Sequence, residues 1–336
     1  MTASYDALLL VSFGGPEGPD DVEPFLDNVT RGREVPPDRL LQVAAQYERF
    51  GGVSPINGEN RRLLAALEAS GLDLPLYWGN RNWHPLLADT VARMTDDGIT
   101  HALAFVTSAF SSYSSCRQYL DDIAAARAAV GPSAPAIDKL RPFFNHPGFL
   151  APVAERVTES LAELDEPLRA GAVLVFTAHS IPTSMAATCD YEEQLNDAAQ
   201  VVATMVPGGH EWRLSFQSRS GPPSVPWLEP DVGDVLAALA AAGSPAVVLV
   251  PLGFVCDHME VIYDLDVLAR ARADDLGLPM ARARTVGVHP TFVAMIGELV
   301  SERTKPGGDV PRRALGQLGP RPDPCIDGCC PAPRRP

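Results

Sequence analysis

The sequence predicts an α/β protein made of two similar, doubly wound, Rossmann-like domains that face one another across a central cleft. Three observations carry this. The chain has 336 residues, more than one hydrophobic core usually organises. Short apolar runs ending in Gly, Ser, Pro or His alternate with amphipathic segments, as strands feeding helices do in an open parallel sheet. The order of strand ends also repeats: VSFGGP, YWGNRNWHP, FVTSAFSSYSSC and LRPFFNHP in the first half are answered by FTAHSIP, FQSRSGPPSVP, VPLGFVCDHME and VGVHPTF in the second. Such a repeat reads as an internal duplication, and ligands of these sheets bind at the carboxyl ends of the strands.

The expected strands are, in order, ALLLVSF, PLYWG, HALAFVTSAF and AIDKLRPF, then AVLVFTAH, EWRLSFQS, AVVLVPLGF and ARTVGV. Between them NRRLLAALEAS and YEEQLNDAAQVVATMV carry apolar residues at helical spacing and stop at Gly or Pro. The domains fall at 1–143 and 144–305, with the last helix, about 290–303, packing back on the first domain. Residues 306–336 form a Pro/Gly-rich cysteine tail whose composition does not order by itself.

Hydrophobic residues make up 46% of the chain and charged residues 21%, a globular composition. A net charge of −15 argues against nucleic acid as a partner, since phosphate binding needs basic surface. The N-terminus lacks the basic flank and cleavage pattern of a signal peptide. No apolar run approaches the roughly 20 residues of a membrane span. A cytoplasmic protein is expected, and six cysteines in that compartment point to metal or cluster binding over disulfides.

His179 in AHSIP closes a strand at the cleft mouth, where it either exchanges protons near neutral pH or only bonds a neighbouring carbonyl. A hydrolase reading of His179–Ser180 is weak, because adjacent strand residues point apart and no G-x-S-x-G elbow is present. In GFVCDHMEVIYDLD, Asp257 and Glu260 have the spacing of a capping box. Alternatively Glu260 and Asp264 share a helical face at the cleft rim, a line of hard oxygen ligands for a divalent ion. HExxH, paired CxxC, G-x-G-x-x-G and Walker A motifs are missing, which disfavours permanent zinc and nucleotide chemistry.

The ordered set SFGGPEGPDDVEPFLDNVTRGR, YERFGGVSPI, SSYSSCRQYL, AHSIP and GFVCDHMEVIYDLD, spread over most of residues 5–300, resembles the ferrochelatases, most closely the soluble coproporphyrin type of high-GC Gram-positive bacteria. The resemblance implies a lyase of haem biosynthesis that grips coproporphyrin III between its two domains, distorts it and inserts Fe2+. His179 corresponds to the family's catalytic histidine, implied to accept pyrrole protons. Glu260 corresponds to the carboxylate that binds or relays Fe2+ and protons, with Asp264 as a further relay. Ser54 and Tyr119 match propionate contacts, and Tyr47 and Phe13 are expected to touch substrate. Phe13 stands where Firmicute relatives carry an iron-ligating Tyr, Gln46–Tyr47 replaces their Arg–Tyr pair, and Thr30 replaces a propionate-binding Arg, with Arg31 and Arg33 unassigned beside it. A monomer that meets the preceding and following haem-pathway enzymes only transiently is expected.

The tail offers Cys325, Cys329 and Cys330, one short of the four thiolates of a [2Fe–2S] cluster. Cys116, Cys189 and Cys256 are the candidates for the fourth. The resemblance selects Cys116, matching the lone body cysteine of cluster-bearing ferrochelatases, so the set is Cys116, Cys325, Cys329 and Cys330. Structural zinc, or a loose tail with reactive thiols, stays open, as do two other functions: a haem or tetrapyrrole carrier without turnover, and a cobalt or nickel tetrapyrrole chelatase, for which His258 would be the second histidine.

Overall fold

The computed structural model describes residues 5–32, 35–305, 310–326 and 328–332; Arg33 lies outside this set. The first sheet contains β1 (Ala7–Ser12), β2 (Leu76–Asn80), β3 (His101–Val106) and β4 (Ala136–Lys139), the second β5 (Val173–His179), β6 (Trp212–Gln217), β7 (Val247–Val250) and β8 (Met280–Arg282). Their spatial orders, β2-β1-β3-β4 and β6-β5-β7-β8, are the same topology, and every pairing within both sheets is parallel. All six residues of β1 and all four of β7 are buried, as parallel strands covered on both faces require. Even the strand exits match. The amide of Ser108 bonds Val106 O at 2.7 Å in the first half, and that of Leu252 bonds Val250 O at 2.7 Å in the second.

The helices are α1 (Val22–Thr30), α2 (Pro37–Glu48), α3 (Ile56–Ala69), α4 (Leu87–Asp96) and α5 (Gln118–Val130) in the first half. They continue with α6 (Pro147–Glu163), α7 (Glu166–Arg169), α8 (Thr183–Ala186), α9 (Tyr191–Met205), α10 (Val232–Ala241), α11 (Met259–Val261), α12 (Arg270–Asp275) and α13 (Pro290–Thr304). The two expected helices are α3 and α9. The eighth strand differs from expectation: Met280–Arg282 pairs with β7, upstream of the ARTVGV run. The ladder stops because β7 ends at Val250; after Ala283 bonds Leu249 O the chain has no strand to follow and turns off through Thr285.

One apolar cluster runs through both halves. Leu8, Phe105 and Phe143 of the first, Phe149 and Val153 of α6, Phe176 and Val248 of the second and Phe292 of α13 all belong to it. Phe105 and Phe143 stack at 5.1 Å, with Phe292 edge-on to both. Fully buried Arg141, just past β4, binds Glu302 of α13 through two bonds of 2.8 and 2.9 Å.

Described residues beyond 310 form neither helix nor strand, yet they are fastened by polar contacts, which composition did not predict. Leu315 N bonds Asn145 O, Asn145 Nδ2 bonds Gly319 O, and Gln317 N bonds Asp197. Arg321 pairs with Asp190 at 2.6 Å, and Arg303 of α13 pairs with Asp323 and Asp138. Gly316 is required here: its φ is +78°, and a Cβ would lie 2.3 Å from Asp197 Oδ2. Among the described residues no helix is long and apolar enough to cross a membrane.

Candidate active site and cysteine cage

His179 is the last residue of β5 and pairs with Gln217 on β6, so its ring leaves the sheet at the carboxyl edge. Its Nδ1–H donates to the Ser180 carbonyl, leaving Nε2 as the exchangeable position, 3.7 Å from Glu260 Oε2. Ser180 Oγ donates instead to Leu228 O at 2.8 Å, so the serine is no nucleophile for this histidine.

Glu260 sits in α11, which runs into a widened π-helical stretch, Ile262–Ala269, and then α12. Such a helix sacrifices regular hydrogen bonding, which is why it concentrates at functional positions. The capping-box alternative fails. His258 occupies the N-cap, while Asp257 accepts from both Arg282 nitrogens and from Thr285. Glu260 is thus free to face His179, with its side chain 50% exposed. Asp264 follows on the same line and accepts from Ser218 Oγ; Ser218 holds a left-handed φ of 61° just past β6. The next position at that spacing is the exposed Leu268, so the acidic line ends after two carboxylates. Asp266 turns away to Arg282.

Burial opposes charge on both His179 and Glu260, and each outweighs that by pairing with the other: the imidazole lies above its usual value and the carboxyl well below its own. Asp264 is pushed up to about 6, first by burial, then by the charges of Glu260 and Asp231, against the Ser218 hydroxyl and His179. Burial lowers His258, which feels both groups.

The opposite wall belongs to the first half. Ser54 is buried against Gly15, which has no room for a Cβ: it would meet Ser54 Cβ at 2.6 Å. Tyr47 lies in an apolar cluster with Val22, Phe25, Leu26 and, from across the cleft, Met259. Burial and then the Glu260 charge push its phenol above the usual range. Phe13 is half-exposed, edge-on to Phe25. Tyr119 is buried under Arg81, whose guanidinium is 3.9 Å from the ring centroid. Sequence reasoning missed Arg81. It follows β2 directly in GNRNWHP, pairs with Asp122, stands 5.9 Å from the Phe13 ring and keeps Nη2 buried without a hydrogen-bond partner. A lone cation in a strand-end loop was the available signal.

The four selected cysteines come together. Cys116, Cys325, Cys329 and Cys330 line one small cavity with Ser111, Arg321, Pro322 and Ile326. Cys116 lies in another π-helical stretch, Tyr113–Arg117, capped reciprocally by Ser112 and Ser115. Its thiol and that of Cys325 shift one another, Cys116 upward and Cys325 downward, with Lys139 close by. Burial, then Cys116 and Cys329, push Cys330 up to about 12. Among the described residues no three Cys, His, Asp or Glu side chains are set around a single metal position. Cys256 is buried in the loop after β7, and neither it nor Cys189, whose thiol donates to Met185 O, lines this cavity.

The Ferrochelatase family model matches residues 5–304. A coproporphyrin III ferrochelatase of Frankia alni is 57% identical, with 100% of this chain and 90% of the relative covered. One of Streptomyces griseus is 53% identical, over 98% and 94%. Among solved structures, the sirohydrochlorin chelatase SirB of Bacillus subtilis subspecies spizizenii, in complex with cobalt, superposes with a TM-score of 0.55 at 13% identity, over 91% of this chain and 99% of that one; this likeness bears on the fold alone. With the family model spanning both sheets and relatives more than half identical along the whole chain, a protein whose cleft sets an imidazole against a carboxylate belongs to the ferrochelatase family.

Proposed function

We propose that this chain inserts Fe2+ into coproporphyrin III, with His179 and Glu260 as the reacting pair. The observation that carries the proposal is His179 Nε2 set 3.7 Å from Glu260 Oε2 at the carboxyl ends of β5 and β7. A free-base porphyrin gives up two pyrrole protons as iron takes its four nitrogens, so the site needs a proton acceptor and an anionic metal guide. In the porphyrin-free protein the pair neutralises itself. A dication arriving at Glu260 offsets the carboxylate charge that raises the proton affinity of the imidazole, so Nε2 releases any proton it holds to solvent and is then free to accept the pyrrole protons one at a time, passing the first on before it takes the second. Asp264, pushed up to about 6, changes protonation near neutral pH and suits a proton or metal relay. Across the cleft Ser54, Tyr47, Tyr119 and Phe13 would meet the macrocycle or its propionates, and the unpaired N–H of Arg81 is a further carboxylate donor.

The cysteine cage fits a [2Fe–2S] cluster held by Cys116, Cys325, Cys329 and Cys330. Four thiols share one cavity, and a two-iron core takes two thiolates on each iron, so its ligands need not converge on one point. Bound, such a group supplies a covalent fastening for the tail. In this reading residues 1–143 supply the porphyrin wall, 144–305 the reacting pair, and 306–336 the strap, in a cytoplasmic monomer.

An anaerobic assay with coproporphyrin III and Fe2+, following the free-base absorption bands, tests the function. Loss of those bands in wild type and their persistence with His179→Ala support it. Tight binding without metallation points to a carrier. His258 keeps other metals in play, since it stands within the field of both reacting groups; Co2+ turnover beside Fe2+ decides that.

A further inference from the structure

We infer that Tyr191 is a positioning residue for His179, and that the first turn of α9 joins the histidine and the cysteine-bearing loop into one hydrogen-bonded unit. The inference rests on the reading of His179 as the reacting base. Tyr191 is buried at the start of α9, and its hydroxyl donates to the His179 carbonyl at 3.0 Å. The hold is needed because β5 runs past its neighbour: the ladder with β7 ends at Phe176, one further bond reaches Thr177 O from Gly253 N, and at His179 the only strand pairing is with β6. A second fastening at this carbonyl fixes where the imidazole leaves the sheet.

One turn later on the same helical face stands Gln194, fully buried. Its Nε2 donates to Ser111 Oγ at 3.0 Å, and its Oε1 accepts from Ser111 N at 2.8 Å, so both ends of the amide are spent on one residue of the other half. Ser111 lines the cysteine cavity, and its neighbour Ser112 caps the turn that carries Cys116. Phe110, preceding them, packs edge-on against the Tyr191 ring at 6.2 Å. On the tail side Asp190 pairs with Arg321. A buried polar bridge of this kind is stable only in one arrangement, since any shift leaves its groups unpaired in a low-dielectric interior. Displacement of the cage loop therefore moves α9, and α9 moves the histidine.

The test uses the full-length protein under anaerobic conditions with coproporphyrin III and Fe2+. Tyr191→Phe keeps the ring and its packing and removes only the hydroxyl. The expected result is a kcat lower by about three- to tenfold, with KM for both substrates within about twofold, a Tm within a few degrees, and a displaced His179 imidazole resonance in porphyrin-free protein. Ser111→Ala, remote from the cleft, lowers kcat in the same direction by less, and the double variant loses less than the product of the two. His179→Ala is run alongside. If it retains the wild-type rate, the catalytic reading itself is wrong. If it is inactive while Tyr191→Phe has wild-type kcat and an unmoved His179 resonance, the positioning inference alone is overturned. Strict multiplicativity of the two losses, or wild-type kcat in Ser111→Ala, sinks the unit; the latter also carries the test should Tyr191→Phe fold poorly.

Discussion

The loop after the third strand has been put to opposite uses in the two halves. Both loops leave the sheet through the same backbone bond and both run into a π-helical stretch, Tyr113–Arg117 in one and Ile262–Ala269 in the other. In the first half the stretch turns Cys116 inward, 2% exposed, with two serines closing its start. In the second it follows Glu260, half exposed and aimed at His179, and no side chain caps it. One repeated device thus buries a thiol, while its twin presents a carboxylate to an imidazole. The lesson is that backbone irregularity marks a place for chemistry without choosing it; the side chain and its burial choose.

That contrast predicts different losses when each is damaged. The largest is expected at Glu260→Gln, which keeps shape and removes the charge opposite His179. kcat should fall by about 10^2- to 10^4-fold, the range for losing a positioned acid–base group, and Tm by a few degrees at most, since the charge pairing with His179 is lost but is half solvated. A large fall in Tm with a modest fall in rate would reverse the assignment of the two loops. Next comes Cys116→Ser. The visible absorption of an iron–sulfur centre should vanish and stability should fall by a few kcal/mol, at about 2–4 °C of Tm for each, while kcat drops less than tenfold. Wild-type absorption in that variant would remove Cys116 from the ligand set.

How much of this was legible beforehand follows from the kind of residue involved. The two sheets were readable because buried parallel strands are nearly continuous apolar runs, as in ALLLVS and VVLV. His179 and Glu260 were readable because each ends a strand unit in a recognisable motif. The cysteine grouping came from resemblance; nothing in C-x3-C-C says which body cysteine it meets. What stayed hidden depends on long-range pairing. Arg141–Glu302, Gln194–Ser111 and Arg303–Asp323 link residues far apart in sequence, and each partner alone looks like ordinary surface. The eighth strand was misplaced for a similar reason, since ARTVGV has the propensity but β7 is too short to pair with it.

A smaller effect of opposite sign is expected at Asp264. Its folded-state value, about 6, lies above the ordinary 3.8, so the folded protein holds this proton more tightly than the unfolded chain. That contribution is fully present below about pH 4 and is lost as pH rises through 6. Asp264→Asn does not titrate, can still accept from Ser218, and should therefore exceed wild type in stability at pH 7 by at most about 3 kcal/mol, with no difference of that kind at pH 4. Its rate should fall, making the second loop one in which stability is given up for reactivity. Urea unfolding at the two pH values decides this, and a variant less stable than wild type at pH 7 would show that Asp264 holds the fold.

The smallest effect distinguishes the clamps on the tail. Arg321 and Asp190 are partly solvated, at 27% and 42% exposure, and a pair of that kind contributes under about 1 kcal/mol and weakens with salt. Arg303 is different. It holds Asp323, 5% exposed, together with Asp138 and the Tyr5 hydroxyl, and removing it strands a buried carboxylate two positions before Cys325. In metal-free protein Arg303→Gln should thus expose the tail thiols to alkylation much faster than wild type, while Arg321→Gln changes the rate about twofold or less at physiological salt. Equal rates in the two variants would mean that the solvated Asp190 clamp holds the tail as firmly as the buried cluster of Arg303 with Asp138 and Tyr5 of the first half. The contrast between buried and solvated fastening would then stop short of the tail.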